Sequence, residues 1–373
     1  MTYLDSLKTV TKIASENAAS VDIEGRFPEE SVAALRSSGL LGLVLPVEIG
    51  GMGKGPEELT EVVSAIAASC GSTAMIYIMH IAAAVTVAAA PPSGQPDLLA
   101  SMARGESLGT LGFSEKGSRS HFWAPVSTSK LTGDTVRIHA DKSWVTSAEH
   151  ADVYVMSSGS TSGAPGEVDI YAIPAKTAGL TVAGPWSGLG FRGNASSPMT
   201  VDVEIPLSYR LGEAASGFGI MMATVLPWFN LSNASVSLGL AGSVVDAAVA
   251  HVSGARLEHI DQALSALPTI RAQVAKMSIL LAAERAYLAF AANSIANPTD
   301  STILAVLGVK ASANDAALVI TEMAMRVCGG AAFSKHLPIE RAFRDARAGS
   351  VMAPTADVLY DFYGKAVTGL PLF

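Results

Sequence analysis

Two kinds of hydrophobic patterning divide the chain. In residues 1–108 and 213–373, apolar positions recur at intervals of three, four and seven, the spacing of one face of an α-helix. In residues 109–212, short runs alternate apolar and polar side chains and end at Gly, Ser, Asp or Pro, which is typical of β-strands. The pattern therefore predicts an α+β protein with an N-terminal helical domain, a central β domain and a C-terminal helical domain.

Two N-terminal segments illustrate the helical pattern. The segment "PEESVAALRSSG" predicts a helix with Pro28 in its first turn, acidic residues at its start and Gly39 as its C-terminal cap. Residues 74–90 form an apolar run of 17, shorter than the roughly 20 residues that a membrane-spanning helix needs. We therefore expect a buried core helix there and no membrane partner.

Composition and charge narrow the possible partners. Hydrophobic residues make up 49% of the chain and charged residues 16%, which favours helix packing within a homo-oligomer. The net charge of −8 and the lack of a Lys/Arg run argue against a nucleic-acid partner. Cys70 and Cys328 lie far apart and the N-terminus has no secretory apolar core, so a cytoplasmic protein without a disulfide framework is expected.

Common metal and nucleotide motifs are not convincing in this sequence. The seven histidines are scattered, without an HxxxH or HExxH pair, so no metal site is predicted. The segment "GLGFRG" at 188–193 lacks full GxGxxG spacing and no clear strand, turn and helix surround it. A Rossmann domain is therefore not expected.

Five stretches follow one another in the order found in a known flavoenzyme family. They are "GLLGLVLPVEIGGMGKG" (39–55), "LGFSEKGSRSHF" (111–122), "DKSWVTSAEHADVYVM" (141–156), "GLGFRGNASSPMTVDVEIP" (188–206) and "VCGGAAFSKHLPIERAFRDAR" (327–347). Each is weak alone, but together they resemble the acyl-CoA dehydrogenase superfamily. The resemblance implies a central β-barrel domain, a C-terminal four-helix bundle, bound FAD, and a tetramer or dimer.

The resemblance also assigns residues to the flavin. Ser114 stands where the family hydrogen-bonds the pyrimidine side of the ring, Trp144 flanks the ring, and Thr146 is the hydroxyl residue near N5. Hydroxyl groups and aromatic faces suit a ring with polar edges and apolar faces. The expected FAD-binding set is Phe113, Ser114, Gly117, Ser118, Trp144, Thr146, Arg256, Gly330 and Thr355. The alternative is an ordinary β-turn at the two serines and a core position for the tryptophan.

Arg256 has a separate expected role. It matches the family arginine that reaches the FAD pyrophosphate of a neighbouring subunit, and a guanidinium suits phosphate. The residues after it depart from the family pattern, so a solvated arginine at a helix end is the alternative.

The catalytic carboxylate of the family is missing. Met352, Ala353, Pro354 and Thr355 occupy the four places of "YEGT", so Ala353 replaces the Glu. A minority of the family places the Glu on an earlier helix, where Phe229 stands here. Proton abstraction needs a base within hydrogen-bond reach, and its loss costs on the order of 10²- to 10⁴-fold in rate.

Three functions stay open. An FAD-dependent oxygenase or oxidase would use O₂ on an acyl-CoA thioester or a related small substrate, as in family members that lack the Glu. A dehydrogenase would need a base from elsewhere, such as Glu149 or Asp357. The third possibility is a catalytically silent partner subunit. Candidate catalytic residues near the flavin are His121, Ser120, His80 and Tyr360, for each of which packing or surface exposure is the alternative role.

Overall fold

Helices fill both ends of the chain and strands fill the middle. The computed structural model describes residues 2–373. The N-terminal helices are α1 (Tyr3–Glu24), α2 (Glu29–Ser38), α3 (Pro56–Ser69), α4 (Gly71–Ala89) and α5 (Leu98–Ala103). The predicted helix after Pro28 is confirmed as α2, and Gly39 ends it in the left-handed conformation at φ +77°. Pro28 is its N-cap and not a first-turn residue.

Helix α4 is a core helix, as its length predicts. Nearly all of it is buried, and the hydroxyl of its Tyr77 donates to the backbone oxygen of Leu40 at 2.9 Å. By length and composition alone, α4 and three longer C-terminal segments could each cross a membrane. Within the fold, 89% of the apolar window of α4 is buried against other parts of the protein.

The β domain consists of two sheets that share one core. Strand β4 pairs in parallel with β1 and antiparallel with β5, while the second sheet has the antiparallel order β2-β3-β7-β6. Apolar side chains of both sheets, such as Tyr171 and Val201, pack together between them. The strands are β1 (Gly109–Gly112), β2 (Thr128–Thr132), β3 (Thr135–Val145), β4 (Val153–Gly159), β5 (Val168–Pro174), β6 (Leu180–Val182) and β7 (Ser197–Pro206).

The C-terminal part is a bundle built on three long helices. Its elements are α6 (Gly217–Ile220), α7 (Leu226–Gly254), β8 (Arg256–Leu257), β9 (Gln262–Ala263), α8 (Pro268–Ala296), α9 (Thr302–Cys328), α10 (Gly330–Phe333), α11 (Ile339–Val351) and α12 (Ala356–Thr368). A π-helical turn, Met221–Val225, joins α6 to α7. Pro227 follows this turn, and because proline lacks an N–H it cannot donate to the carbonyl four residues earlier.

Helix α8 is packed on one side only. Its buried residues include Met277, Leu281 and Leu288, whereas Ile279 is 70% exposed and Phe290 is 56% exposed. A long apolar helix with this much uncovered surface is typical of an interface between protein chains.

Candidate active site

One large cleft lies where the β domain meets the C-terminal helices. Its volume is about 1000 Å³. Its walls come from the segment after β1, the end of β3, the loop before β7, the start of α7, and α11 with the residues that follow it. Strand β3 has a register break between Lys142 and Val145, and this irregularity places Ser143 and Trp144 at the cleft.

Most of the residues assigned to the flavin ring meet at this cleft. The hydroxyl of Thr146 lies 2.9 Å from that of Ser196, which also lines the cleft. Gly117 has a φ of +107°, a conformation that L side chains rarely adopt. Of the expected residues, the cleft is lined by Phe113, Ser114, Gly117, Trp144, Thr146 and Thr355, together with the catalytic candidate Ser120.

Three other expected FAD-binding residues lie outside the lining of the cleft. Ser118 is buried in the turn after Ser114, where its hydroxyl pairs with the backbone of Glu115 at 3.2 Å. Arg256 donates to the backbone oxygen of Asp261 at 2.9 Å and pairs with its carboxylate. Gly330 starts α10, with open space around its Cα. A role for Arg256 toward another subunit stays a prediction.

Three of the predicted catalytic residues, His80, Tyr360 and His121, have surroundings other than the cleft. Nδ1 of His80 accepts from the backbone N–H of Gly109 at 3.0 Å, and Nε2 lies 3.1 Å from the carbonyl of Leu41. Burial lowers the pKa of His80 to about 4, so this histidine is a neutral core residue.

The hydroxyl of Tyr360 donates to Asp315 at 2.7 Å. His121 is exposed, and its ring lies 5.0 Å from that of Trp123. None of the three lines the cleft.

A buried ion pair of Glu115 and Lys142 lies next to Ser114 and Ser143 at the cleft. The carboxylate of Glu115 accepts from Nζ of Lys142 at 2.6 Å, from the hydroxyl of Ser127 at 2.6 Å, and from the N–H groups of Val126 and Ser127 at 2.7 Å. Lys142 also donates to the carbonyl of Ser157. Both carboxylate oxygens are therefore occupied. Sequence reasoning missed this pair because the sequence alone does not distinguish a charged residue that becomes buried from one that stays exposed.

Both customary positions of the catalytic acid face the cleft and are apolar. Ala353 and Phe229 line its wall. Within residues 2–373, Glu115 is the only Asp or Glu that lines the cleft, and it is already satisfied. Cationic residues dominate the remaining charge, since Lys116, Arg119 and Arg347 line the same space, while Arg344 beside them is paired with Asp22 and Glu340. The cleft offers no available carboxylate base.

A second tryptophan stands against Trp144. The ring of Trp186 meets that of Trp144 edge to face, with centroids 5.7 Å apart, and its Nε1 donates to the backbone oxygen of Phe191 at 2.9 Å. A Cβ on Gly188 would lie 2.1 Å from the Trp186 ring, so only glycine leaves room for it. Trp186 lies outside the five stretches that carry the family resemblance, so sequence reasoning did not single it out.

Residues 2–373 contain no group of three or more His, Cys, Asp or Glu side chains that could hold a metal ion. The site is instead a cleft of hydroxyl groups, aromatic faces and cationic side chains between a β domain and a helical bundle. Fold and cleft together define the class of three-domain flavoprotein oxidoreductases.

The chain belongs to the acyl-CoA dehydrogenase superfamily. Its residues 6–106, 110–203 and 215–368 match the family models for the N-terminal, middle and C-terminal domains of acyl-CoA dehydrogenase. The family resemblance inferred from the five sequence stretches is thereby confirmed.

Named relatives span nearly the whole chain. It is 29% identical over 345 residues to the mitochondrial short-chain specific acyl-CoA dehydrogenase of Bos taurus, covering 91% of this chain and 83% of that protein. It is 27% identical over 356 residues to the probable acyl-CoA dehydrogenase YngJ of Bacillus subtilis, covering 93% and 92%. The structure of butyryl-CoA dehydrogenase from Megasphaera elsdenii matches with a TM-score of 0.91 at 22% identity, over 98% of each chain.

Proposed function

We propose that this protein is an FAD-dependent oxygenase or oxidase that acts on an acyl thioester, with O₂ as co-substrate. The observation that supports this most is the apolar wall made by Ala353 and Phe229, at both places where a carboxylate would stand. A cleft without an available base is poorly suited to removing an α-proton. Chemistry in which an external two-electron donor reduces the flavin, and the reduced flavin then reacts with O₂, does not depend on that base.

The residues of the cleft fit FAD. The rings of Trp144 and Phe113 offer apolar faces, and the hydroxyls of Ser114 and Thr146 offer donors and acceptors for a polar ring edge. Arg119 lines the same cleft and suits an anionic pyrophosphate or thioester carrier. FAD, when bound, supplies the two-electron redox chemistry and the reactivity with O₂, while these side chains bind and orient.

A dehydrogenase is the second candidate. The relatives named as short-chain acyl-CoA dehydrogenases favour it. Glu149 and Asp357 were considered from the sequence as alternative bases. Both are exposed and neither lines the cleft, so their positions do not favour that role. A dehydrogenase would therefore need a base from beyond these residues.

Anaerobic reduction followed by an oxygen pulse separates the candidates. The purified protein, with its flavin either left oxidised or first reduced by dithionite, is mixed with acyl-CoA thioesters of increasing chain length without oxygen, and flavin absorbance is followed before and after ¹⁸O₂ is admitted. A product that contains ¹⁸O and forms only with the thioester supports the proposal and marks an oxygenase, whereas thioester-dependent H₂O₂ release from the oxidised enzyme, with an oxidised product free of ¹⁸O, marks an oxidase. Enoyl-CoA formed anaerobically with an artificial electron acceptor contradicts it and supports the dehydrogenase. Protein that takes up no FAD would favour a silent subunit.

We also infer that the protein assembles as a homo-oligomer through its C-terminal helices. The support is the apolar, half-uncovered surface of α8, where Ile279 and Phe290 are exposed. Sedimentation equilibrium should show a dimer or tetramer, and Phe290→Glu should weaken it. The matched control is Lys130→Glu, an exposed substitution on β2, away from α8. A monomer that holds stoichiometric FAD would contradict the assembly and also the predicted role of Arg256.

A further inference from the structure

A buried polar seam lies behind the apolar wall of the cleft. On α7, Asn230, Asn233 and Ser237 are spaced three and four residues apart and are fully buried. On α9, Lys310 and Asn314 are four residues apart and equally buried. The hydroxyl of Ser237 donates to Oδ1 of Asn314 at 2.7 Å, so the two helices meet through polar groups.

The end of α11 and the residues after it cover this seam. Nδ2 of Asn233 lies 3.8 Å from the sulfur of Met352, which lines the cleft. A Cβ on Gly349 would lie 2.6 Å from Oδ1 of Asn314. The segment 349–355 thus has the seam on one side and the cleft on the other.

Lys310 is bound to this segment by three hydrogen bonds. Its Nζ donates to the backbone oxygens of Gly349 at 2.9 Å, Met352 at 3.1 Å and Pro354 at 2.8 Å. The side chain is fully buried. Its ammonium has no Asp or Glu partner within 4.0 Å anywhere in residues 2–373. Burial lowers the pKa of Lys310 to about 7, so its charged form is fully present only at a lower pH, and the three backbone dipoles are its observed means of stabilising that charge.

This arrangement fixes the direction of two N–H groups. In a trans peptide unit the C=O and N–H point in opposite directions. The units joining Met352 to Ala353 and Pro354 to Thr355 are trans, and both carbonyls point to Lys310. The N–H groups of Ala353 and Thr355 therefore point away from it, and both residues line the cleft. In the described part of the chain, neither N–H donates to an acceptor.

We propose that Lys310 is a positioning residue that orients and polarises the N–H groups of Ala353 and Thr355 as donors to an oxygen atom of a ligand in the cleft. A carbonyl that accepts from an ammonium group is polarised, and this strengthens the N–H at the other end of the same peptide. Donors aimed in advance at an oxygen that gains negative charge are the basis of oxyanion stabilisation. Lys310 does not itself touch the ligand and acts through the two peptide units.

The inference rests on the proposed function in that the ligand oxygen is taken to be a thioester carbonyl. The probe is acetoacetyl-CoA, whose bound enolate has its own ultraviolet absorbance and whose ionisation reports how strongly donors stabilise the oxygen. Holoenzyme with Lys310→Met is compared with wild type and with Lys130→Met, an exposed control on β2. We expect the Lys310 variant to need a higher pH for enolate formation and to bind on the order of tenfold more weakly. Enolate formation at the wild-type pH would overturn the polarising role.

A crystallographic comparison tests, without a substrate, whether Lys310 fixes the directions of the two peptide units. In Lys310→Met we expect the carbonyls of Met352 and Pro354 to turn, and unchanged carbonyl directions would overturn the inference. If wild type does not bind acetoacetyl-CoA, the proposed thioester function is contradicted. The crystal structures still show whether Lys310 orients the two peptide units. Should Lys310→Met not fold, Lys310→Gln replaces it, because its amide can still donate without a charge. A raised enolate pKa in that variant supports the inference, and a wild-type value contradicts it.

Discussion

The carboxylate of Asp345 accepts a hydrogen bond from the backbone N–H of Phe191 at 2.6 Å, which ties α11 to the loop that bears Trp186. Phe191 has a φ of +47°, in the left-handed region that a phenylalanine rarely adopts. The carbonyl of the same residue accepts from the Trp186 indole. Asp345 thus stabilises the strained backbone of Phe191 and, through Phe191, the position of Trp186 in the wall of the cleft.

The stability of the protein should therefore depend on pH through Asp345. Burial raises the pKa of this carboxyl to about 7, against the opposing hydrogen bond from Phe191. Because the native pKa lies above the unfolded value of about 3.9, its stabilising contribution is full below that value and is lost as pH rises to about 7. Asp345→Asn keeps an acceptor and cannot ionise. We expect its free energy of unfolding to change less between pH 4 and 7, and to exceed that of wild type at pH 8 by about 1–3 kcal/mol.

Urea unfolding at several pH values measures this. Asp357→Asn, at an exposed position of α12, is the control and should follow wild type. Parallel pH profiles for Asp345→Asn and wild type would show that Asp345 is ionised throughout this range.

The ion pair of Glu115 and Lys142 should be costly to break from one side. Lys142→Met leaves a buried carboxylate without its ammonium partner, which costs about 3–5 kcal/mol in comparable sites. We expect a large fall in the denaturant midpoint and poorer FAD retention, because Ser114 and Ser143 flank the pair. The control is Lys130→Met on exposed β2. If the Glu115→Gln/Lys142→Met double variant were no more stable than Lys142→Met, the unpaired charge would not be the cause.

Gly349 should not tolerate a side chain. A methyl group there would lie 2.6 Å from Oδ1 of Asn314 and 3.1 Å from the hydroxyl of Ser237, both held in the seam. We expect Gly349→Ala to lower the free energy of unfolding by about 1–3 kcal/mol, the usual cost of overpacking. Gly364→Ala, in helix α12 with open space around it, should be neutral or stabilising. Equal denaturant midpoints for the two variants would refute the steric argument.

Restoring the missing acid tests the cleft directly. Ala353→Glu places a carboxylate at the position where the family resemblance expects the catalytic acid, and we expect it to gain anaerobic enoyl-CoA formation from acyl-CoA with an artificial electron acceptor. A positioned base is worth on the order of 10²- to 10⁴-fold. Ala348→Glu is the matched control, since Ala348 also lines the cleft but not at the acid position. Equal activity in the two variants would mean that position 353 is not aligned with the reacting carbon, and mass analysis of the product decides this.

The sequence was most informative where local patterning decides structure. Apolar periodicity depends on residues that are close in sequence. The order of a helical, a β and a second helical region could therefore be predicted from the sequence alone. The positions of Ser114, Trp144 and Thr146 at one cleft could be anticipated because the family motifs fix them relative to strands, and their binding of a flavin stays a prediction. His80 shows the limit, since its chemistry suggested catalysis and its position in α4 makes it a core residue.

Buried polar groups were the hardest to foresee. The α7 run "NLSNASVS" and Lys310 on α9 would be placed on a solvent-facing side by polarity alone, yet all of these residues are buried. Their partners are distant in sequence: Lys310 binds carbonyls that lie 39 to 44 residues later. Trp186 was missed for the same reason, because only the folded loop brings it against Trp144.

The pairing of Trp144 with Trp186 gives the protein a built-in optical reporter. Two of its four tryptophans line the cleft and touch each other, while Trp123 and Trp228 lie elsewhere. Isoalloxazine absorbs light in the range where indole emits, so excitation energy passes from these rings to a flavin beside them. Ultraviolet emission from the apoprotein should dim as the cleft fills, and the fraction of protein loaded with cofactor can be followed without an added label.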